Sequence, residues 1–113
     1  MQQPLNFNSA VLGIPTGEDF ERLEADEQRA CIRLLIERII RQLDDQAREP
    51  DTYEREQLGK AIFCVRDGFL PRAVQHAMIA CTPADDRKPI FGAGIYDVPE
   101  GVSLRQLLSE VPL

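Results

Sequence analysis

The sequence lacks the features of secreted, membrane-spanning and disulfide-stabilised proteins. It has no tryptophan, and no apolar run approaches the roughly 20 residues that a transmembrane helix needs. Residues 1–17 contain no charged side chain, so the basic start of a secretory signal is missing. Three widely spaced cysteines, Cys31, Cys64 and Cys81, are an odd number and indicate buried thiols, not a disulfide framework. We therefore expect a cytoplasmic protein with a single domain over residues 1–113.

Motifs for catalysis and cofactor binding are also missing. Cys64, His76 and Cys81 do not follow the spacing of a zinc site. His76 is the only histidine, and no nucleophile or orienting residue can be assigned to it. The Gly-rich run at residues 91–95 lacks the third glycine of a dinucleotide fingerprint and the Lys-Ser/Thr of a phosphate loop. The sequence therefore predicts no metal, no cofactor and no catalytic residue, and it favours a binding protein over an enzyme.

The charge balance is acidic and uneven. The formal net charge is −6, and six carboxylates fall against two arginines within residues 18–29. This balance argues against broad contact with a nucleic acid backbone, which requires clustered Lys and Arg, and it permits a basic partner. Solubility alone also explains it. The acidic cluster either complements the dipole at a helix start or docks a basic protein, although Arg22 and Arg29 interrupt it.

The strongest structural signal is a long amphipathic helix over residues 26–48. Its apolar residues recur at i, i+3, i+4 and i+7, the spacing of one helix face. They are Ile32, Leu35, Ile36, Ile39, Ile40, Leu43 and Ala47. Leu34 falls on the opposite, polar side of the helix. Pro50 disfavours helical geometry at Glu49, so the helix is predicted to end near Arg48. The pattern predicts a helix that organises a bundle and keeps apolar surface for a partner.

The chain before this helix is predicted to be irregular over residues 1–17. Residues 10–14 form either a short strand or an apolar arm that lies across the bundle. Thr16 is predicted to cap a short helix that runs through Phe20, with Asp19 in the third position of the capping box.

Two further helices follow, joined by a tight turn. Asp51 and Glu54 form a capping box for the first of them, Gly68 ends it, and Pro71 begins the next. The predicted core residues of the first are Leu58, Ala61, Ile62 and Val65. The predicted core residues of the next are Leu70, Val74, Ala77, Met78 and Cys81.

The C-terminal region is predicted to be extended and then helical. Residues 89–98 form one or two short strands interrupted by Gly92 and Gly94. Ser103 caps a last short helix with apolar contacts from Leu104, Leu107 and Leu108. The predicted fold is therefore mainly α. It is a compact bundle of three to four helices with an extended C-terminal segment that holds either one strand or a small two-stranded sheet.

Five residues are predicted to contact a partner: Leu34, Arg38, Phe63, Phe91 and Tyr96. Phe63 lies off the core stripe, one turn beyond Gly59. The small Gly59 allows another element to approach closely, and that element is either another part of this chain or a partner. Phe91 and Tyr96 lie in the extended segment. As an exposed strand, this segment could pair along its edge with a strand of a partner.

Residues 57–80 also resemble a DNA-binding helix-turn-helix unit, over about two dozen residues. Gly68 takes the turn position, and Cys64 takes the small position one turn earlier. The second helix of such a unit would present Arg72, Gln75 and His76 to a DNA groove, so His76 is predicted to be exposed.

Binding is therefore the predicted function. The leading interpretation is a small acidic protein-interaction module, such as an adaptor, inhibitor or chaperone-like factor. Its partner is another protein, a second copy of the chain, or both, and no membrane is involved. The alternative is a small helix-turn-helix regulator that uses the helix starting near Pro71.

Overall fold

The long helix predicted over residues 26–48 is present as α3 (Ala25–Asp45), and the other elements pack around it. The computed structural model describes residues 3–88 and 98–112. The elements, in chain order, are α1 (Phe7–Val11), α2 (Glu18–Glu21), α3, α4 (Thr52–Asp67), α5 (Leu70–Ala80), a 3-10 turn (Ala84–Asp86) and α6 (Leu104–Ser109). Over these ranges the protein is mainly helical, as predicted, and contains no strand. The predicted strands cover residues 89–98, and all of these except Val98 lie outside the described residues.

Hydrogen bonds at both ends fix the length of α3. At its start, the side chains and backbone of Glu24 and Glu27 form a reciprocal capping box. At its end, Ala47 has a positive φ of 52°, and the Arg48 amide donates to the Leu43 carbonyl at 3.1 Å, the geometry of a Schellman motif. Ala47 is therefore outside the helix and exposed, and its predicted place in the buried stripe is wrong.

The core forms where the apolar stripe of α3 meets α4, α5 and α6. The buried residues of α3 are the predicted ones apart from Ala47: Ile32, Leu35, Ile36, Ile39, Ile40 and Leu43. On α4, Leu58 and Ile62 are 0 % and 1 % exposed. The short α6 begins at its predicted cap, Ser103, and buries Leu104, Leu107 and Leu108. Helical periodicity thus identified most of the core.

The corner between α4 and α5 follows its predicted local signals. Asp51 and Glu54 form the capping box at the start of α4, with the Glu54 amide 2.8 Å from Asp51 Oδ1. Gly68 has a φ of 87° and ends α4 in the left-handed conformation that glycine adopts without steric cost. Pro71 is the second residue of α5, where its missing N–H leaves no helical hydrogen bond unmade.

The buried face of α5 differs from the predicted one. Its fully buried residues are Ala73, Ala77 and Ala80, and Met78 is 51 % exposed. The small alanine side chains allow α5 to pack closely against α4. In this packing Met78 lies off the buried face of α5. The prediction that Met78 belongs to the core is therefore wrong, and an apolar side chain is left at the surface.

The N-terminal arm, residues 3–17, packs along α3 as a coil with one short helix. Residues 7–11 are helical as α1, capped by the Asn6 side chain, so the alternative of a strand at residues 10–14 is wrong. The Gln42 side chain accepts from the Asn6 amide at 2.7 Å and donates to its carbonyl at 2.8 Å. Arg38 donates to the Leu12 carbonyl. These side-chain contacts hold the arm across the bundle.

The short helix α2 is present, but its predicted cap is not. The N-cap residue is Gly17, with a positive φ of 59°, and no side chain caps the helix. The predicted capping role of Thr16 is therefore wrong, because the turn at Gly17 places Thr16 outside the helix.

Glu54 is a buried carboxylate neutralised by two arginines. Its side chain is 0 % exposed. Arg48 donates from Nη1 and Nη2 to the two carboxylate oxygens at 2.7 and 2.8 Å. Arg87 Nη2 lies 3.8 Å from Glu54 Oε2, and its Nη1 donates to Asp51 Oδ2 at 2.7 Å. We call these four residues the Glu54 cluster.

The Glu54 cluster joins segments that are distant in the sequence. Arg48 Nη2 also donates to the Gln3 carbonyl at 3.0 Å, which ties down the start of the arm. Arg87 Nε donates to the Thr82 carbonyl at 3.1 Å, after the end of α5. The hydrogen bond that Arg48 donates to the Glu54 carboxylate raises the pKa of Arg48. The cluster therefore connects the arm, the α3–α4 loop, the start of α4 and the chain beyond α5.

Gly59 allows a close contact between α4 and the C-terminal segment, as its small size indicates. A Cβ atom built at Gly59 would overlap Cγ2 of Val98. The approaching element is therefore part of this chain, one of the two alternatives that the sequence left open.

The Gly59–Val98 contact predicts an unusual effect for Gly59→Ala. In an exposed helix interior this change stabilises by about 1 kcal/mol. Here it should destabilise, because the new methyl group displaces Val98. Urea unfolding of Gly59→Ala, Val98→Ala and the double variant tests this, and the double variant should recover part of the loss. A stability gain for Gly59→Ala alone would contradict the contact.

Candidate partner-binding groove

An apolar groove lies between the N-terminal arm, α2, α3 and α5. Its volume is about 290 Å³. We call it the arm groove, and its side chains are predominantly aliphatic or aromatic. The lining residues are Phe7, Val11, Ile14, Pro15, Thr16, Gly17, Phe20, Cys31, Ile32, Leu35, Val74 and Met78. None of them is charged, and the only polar side-chain groups are the Thr16 hydroxyl and the Cys31 thiol. The groove therefore suits apolar side chains.

The groove is partly open to solvent, since several of the side chains that line it are exposed or half-buried. Met78 is 51 % exposed, and Val11, Ile14 and Phe20 are half-buried. Small-molecule sites in proteins range from about 300 to 1,000 Å³, so this groove stands at their lower limit. Its size fits a few apolar side chains of a partner better than a large ligand.

Two predicted partner-contact residues lie next to the arm groove. Leu34 is 39 % exposed and sits three residues after Cys31, which places it one helical turn from the groove wall. Arg38 is one turn further along α3, and its guanidinium donates to the Leu12 carbonyl. Leu12 itself is 72 % exposed. Leu12, Leu34 and Met78 thus extend the apolar character of the groove onto the surface around it.

Carboxylates stand beside the groove at the end formed by α2. Glu18, Asp19 and Glu21 flank the groove residue Phe20 on that helix. Glu27 precedes Cys31 by four residues on α3 and so lies on the same side of that helix. Arg22 is the nearest basic residue in the sequence. Its Nη2 lies 3.7 Å from Glu18 Oε2, and its Nη1 lies 4.0 Å from Asp19 Oδ1. We call Glu18, Asp19, Glu21 and Glu27 the acidic rim.

The other predicted contact residues do not line the arm groove. Phe63 is half-buried on α4, with the Arg66 guanidinium 4.8 Å from its ring centroid. Phe91 and Tyr96 fall outside the described residues. The five residues predicted as a contact surface are therefore not assembled at one site by the described structure.

The three residues of the helix-turn-helix alternative have different environments. Arg72 and Gln75 are exposed on α5. His76 is half-buried, and its Nδ1 lies 2.9 Å from Oε1 of the buried Gln57 on α4. The prediction that His76 is exposed is wrong, because α5 packs that side chain against α4. Burial, with smaller contributions from Lys60 and Arg72, lowers the pKa of His76.

The lowered pKa of His76 predicts a pH dependence of stability. The folded protein favours the neutral ring, so the unfolded chain binds more protons near its ordinary pKa of 6.5. The free energy of unfolding should therefore fall as the pH drops through that value and stay constant above it. Urea unfolding of wild type and His76→Gln at several pH values between 5 and 8 tests this. Equal pH slopes for the two proteins would contradict it.

The thiols divide into two buried groups and one at the groove. Cys64 and Cys81 are buried, as predicted. Burial raises the pKa of Cys64, and burial with the nearby Glu54 carboxylate raises that of Cys81 to about 12. Both are therefore protonated and unreactive at neutral pH. Cys31 is only half-buried and lines the arm groove, so the expectation of buried thiols holds for two of the three.

No group of His, Cys, Asp and Glu side chains that could hold a metal ion occurs within residues 3–88 and 98–112. None of the helices in these ranges has the length and apolar character that crossing a membrane requires. Comparisons with protein-family models, with curated proteins and with solved structures find no match to this chain.

The arm groove itself was not predicted from the sequence. Its walls come from residues 7–20, 31–35 and 74–78, and no local pattern connects these three segments. The one local signal that could have indicated it is the apolar character of residues 10–14, which the sequence places across the bundle without a binding role.

Proposed function

We propose that this protein is a small protein-interaction module that acts by binding, with the arm groove as its contact site. The observation that carries the proposal is an uncharged apolar groove of about 290 Å³ that includes the half-exposed Met78. Leu12 and Leu34 are exposed apolar residues that lie one residue after Val11 and one helical turn after Cys31 of the groove lining. Exposed apolar surface of this kind is typical of a protein-binding site.

The energetics favour burial of this surface by a partner. Fully burying one large apolar side chain contributes about 1.5–3 kcal/mol. A partner that covers Leu12, Leu34 and Met78 and fills the groove would gain several such contributions. The partner is a second protein or another copy of the chain.

Affinity capture from native lysate, with and without nuclease, tests the proposed function. The wild type, Met78→Glu and Gln75→Glu are compared, since both variants add one charge to an exposed position of α5. We expect a stoichiometric protein that survives nuclease and is retained by Gln75→Glu but lost from Met78→Glu. Leu34→Glu should weaken it and Phe63→Ala should not. A partner retained equally by all variants would remove the groove from the proposal.

Self-association is measured separately by sedimentation velocity over a range of concentrations. A dimer that Met78→Glu dissociates would identify the partner as a second copy of the chain. A protein that stays monomeric would assign the groove to a different partner.

The second candidate function is DNA binding through α4 and α5. It is supported by the tight turn at Gly68 and by the exposure of Arg72 and Gln75 on α5. It has less support than protein binding for two reasons. The His76 side chain is hydrogen-bonded to Gln57 of α4, and the acidic chain would repel a nucleic acid backbone. A salt-sensitive mobility shift that is lost on Arg72→Ala would support it. Absence of a shift at low salt would exclude it.

A further inference from the structure

The side chains that line the arm groove determine which groups of a partner can enter it. Among the described residues 3–88 and 98–112, no charged side chain lines the groove, and the polar groups in its lining are a hydroxyl and a thiol. A polar group of the partner buried there would lose hydrogen bonds to water without replacing them, which costs free energy. The segment that enters the groove must therefore do so with apolar side chains.

The acidic rim determines the charge of the residues that flank those apolar side chains. Residues 18–29 carry six carboxylates and two arginines, a net charge of −4 out of −6 for the whole chain. Arg22 pairs with two carboxylates of the rim itself, Glu18 and Asp19. Lys or Arg residues on a partner would meet a complementary potential, which speeds association and selects against acidic partners.

The secondary structure limits how the partner can bind. Addition of a partner strand needs an exposed sheet edge, and residues 3–88 and 98–112 provide no strand. The groove is formed by side chains of helices and of the arm. Such a surface can bind a helix of the partner whose apolar side chains project from one face, at positions i, i+3 or i+4, and i+7.

The charge also argues against two other occupants. In a symmetric dimer built on this groove, the rim of each copy would lie close to the rim of the other, and like charges would repel. An anionic membrane surface would be repelled by the same carboxylates.

We infer that the arm groove binds a basic amphipathic helix of a partner protein, whose apolar side chains enter the groove and whose Lys or Arg residues face the acidic rim. This inference rests on the proposed function, which requires the groove to bind a protein but does not define the chemistry of that protein.

Selection from a displayed library of random peptides tests the inference with the full chain. Binders are enriched on wild type alone, and each enriched peptide is then assayed for binding to Met78→Glu. We expect enriched peptides with large apolar residues at helical spacing and with more Lys and Arg than the starting library. Leu12→Glu, at a position 72 % exposed and next to the groove residue Val11, serves as a second variant that does not disturb the core.

Affinities of one enriched peptide are then measured by fluorescence anisotropy. Met78→Glu should weaken binding at least about tenfold. Neutralising the rim with Glu18→Gln and Glu21→Gln should weaken it about two- to fivefold at low salt and have little effect at high salt. The matched control is Glu100→Gln with Glu110→Gln, two exposed carboxylates in the C-terminal region, which should leave the affinity unchanged.

The possible failures separate the inference from the proposed function. If no enriched peptide depends on Met78 or Leu12, both are overturned. If peptides depend on the groove but carry no excess of Lys and Arg, or ignore the rim variants, the inference alone is overturned. A Met78-dependent dimer, or binding to vesicles that contain phosphatidylserine, would also overturn the inference.

Discussion

Glu54→Gln is expected to destabilise the protein by about 3–5 kcal/mol, the usual cost of removing one partner from a buried ion pair. The Glu54 carboxylate is fully buried and accepts two hydrogen bonds from Arg48, with Arg87 3.8 Å away. Glutamine has nearly the same shape but no charge, and its amide group would place donors against guanidinium donors. Two arginines that are largely buried would lose a counter-charge.

Urea unfolding monitored by circular dichroism measures this loss. Glu56→Gln is the matched control, since Glu56 lies on the same helix and pairs with Lys60 at 3.2 Å, and its side chain is 18 % exposed where that of Glu54 is fully buried. An i,i+4 pair on one helix contributes about 0.2–0.5 kcal/mol. If Glu54→Gln costs no more than Glu56→Gln, the Glu54 cluster does not hold the arm and the end of α5 to the bundle.

Leu58→Ala has the second-largest expected effect, a loss of about 2–5 kcal/mol. Leu58 is 0 % exposed on α4, a helix that packs against α3, α5 and α6. Truncation removes apolar burial and leaves a cavity that the surrounding helices cannot fully close.

The matched control for Leu58→Ala is Leu12→Ala, the same substitution at a position that is 72 % exposed. It should change stability by less than about 0.5 kcal/mol, as is usual for surface substitutions. Equal unfolding midpoints for the two variants would show that Leu58 is not in the core.

The sequence predicted those parts of the fold that depend on local patterns. Six residues of the α3 stripe are buried as their spacing requires, and the caps at Asp51, Gly68 and Ser103 are where the local motifs place them. Each of these depends on residues within one or two helical turns of each other. Such signals survive folding because the tertiary structure reinforces them.

Predictions failed where tertiary contacts choose between local alternatives. Most residues of α5 are apolar, so periodicity alone allows more than one buried face. Close approach to α4 selected the three alanines and left Met78 exposed. At Thr16 the capping motif was correct in composition, but the positive φ at Gly17 moved the start of α2 by one residue.

The Glu54 cluster and the arm groove depend on residues that are distant in the sequence. Arg87 follows Asp51 by 36 residues, and nothing in the intervening pattern connects them. The groove combines residues from the arm with Val74 and Met78 of α5. Prediction of either feature from the sequence would require the packing of the helices to be known first.

Chemical-shift mapping by NMR is the most direct test of the arm groove as the binding site. Isotope-labelled protein is titrated with a peptide from the selection. We expect the largest changes in amide chemical shift at residues 7–20, 31–35 and 74–78, and we expect Met78→Glu to abolish them. Shifts centred on residues 59–66, or confined to the face of α5 that carries Arg72 and Gln75, would contradict this expectation.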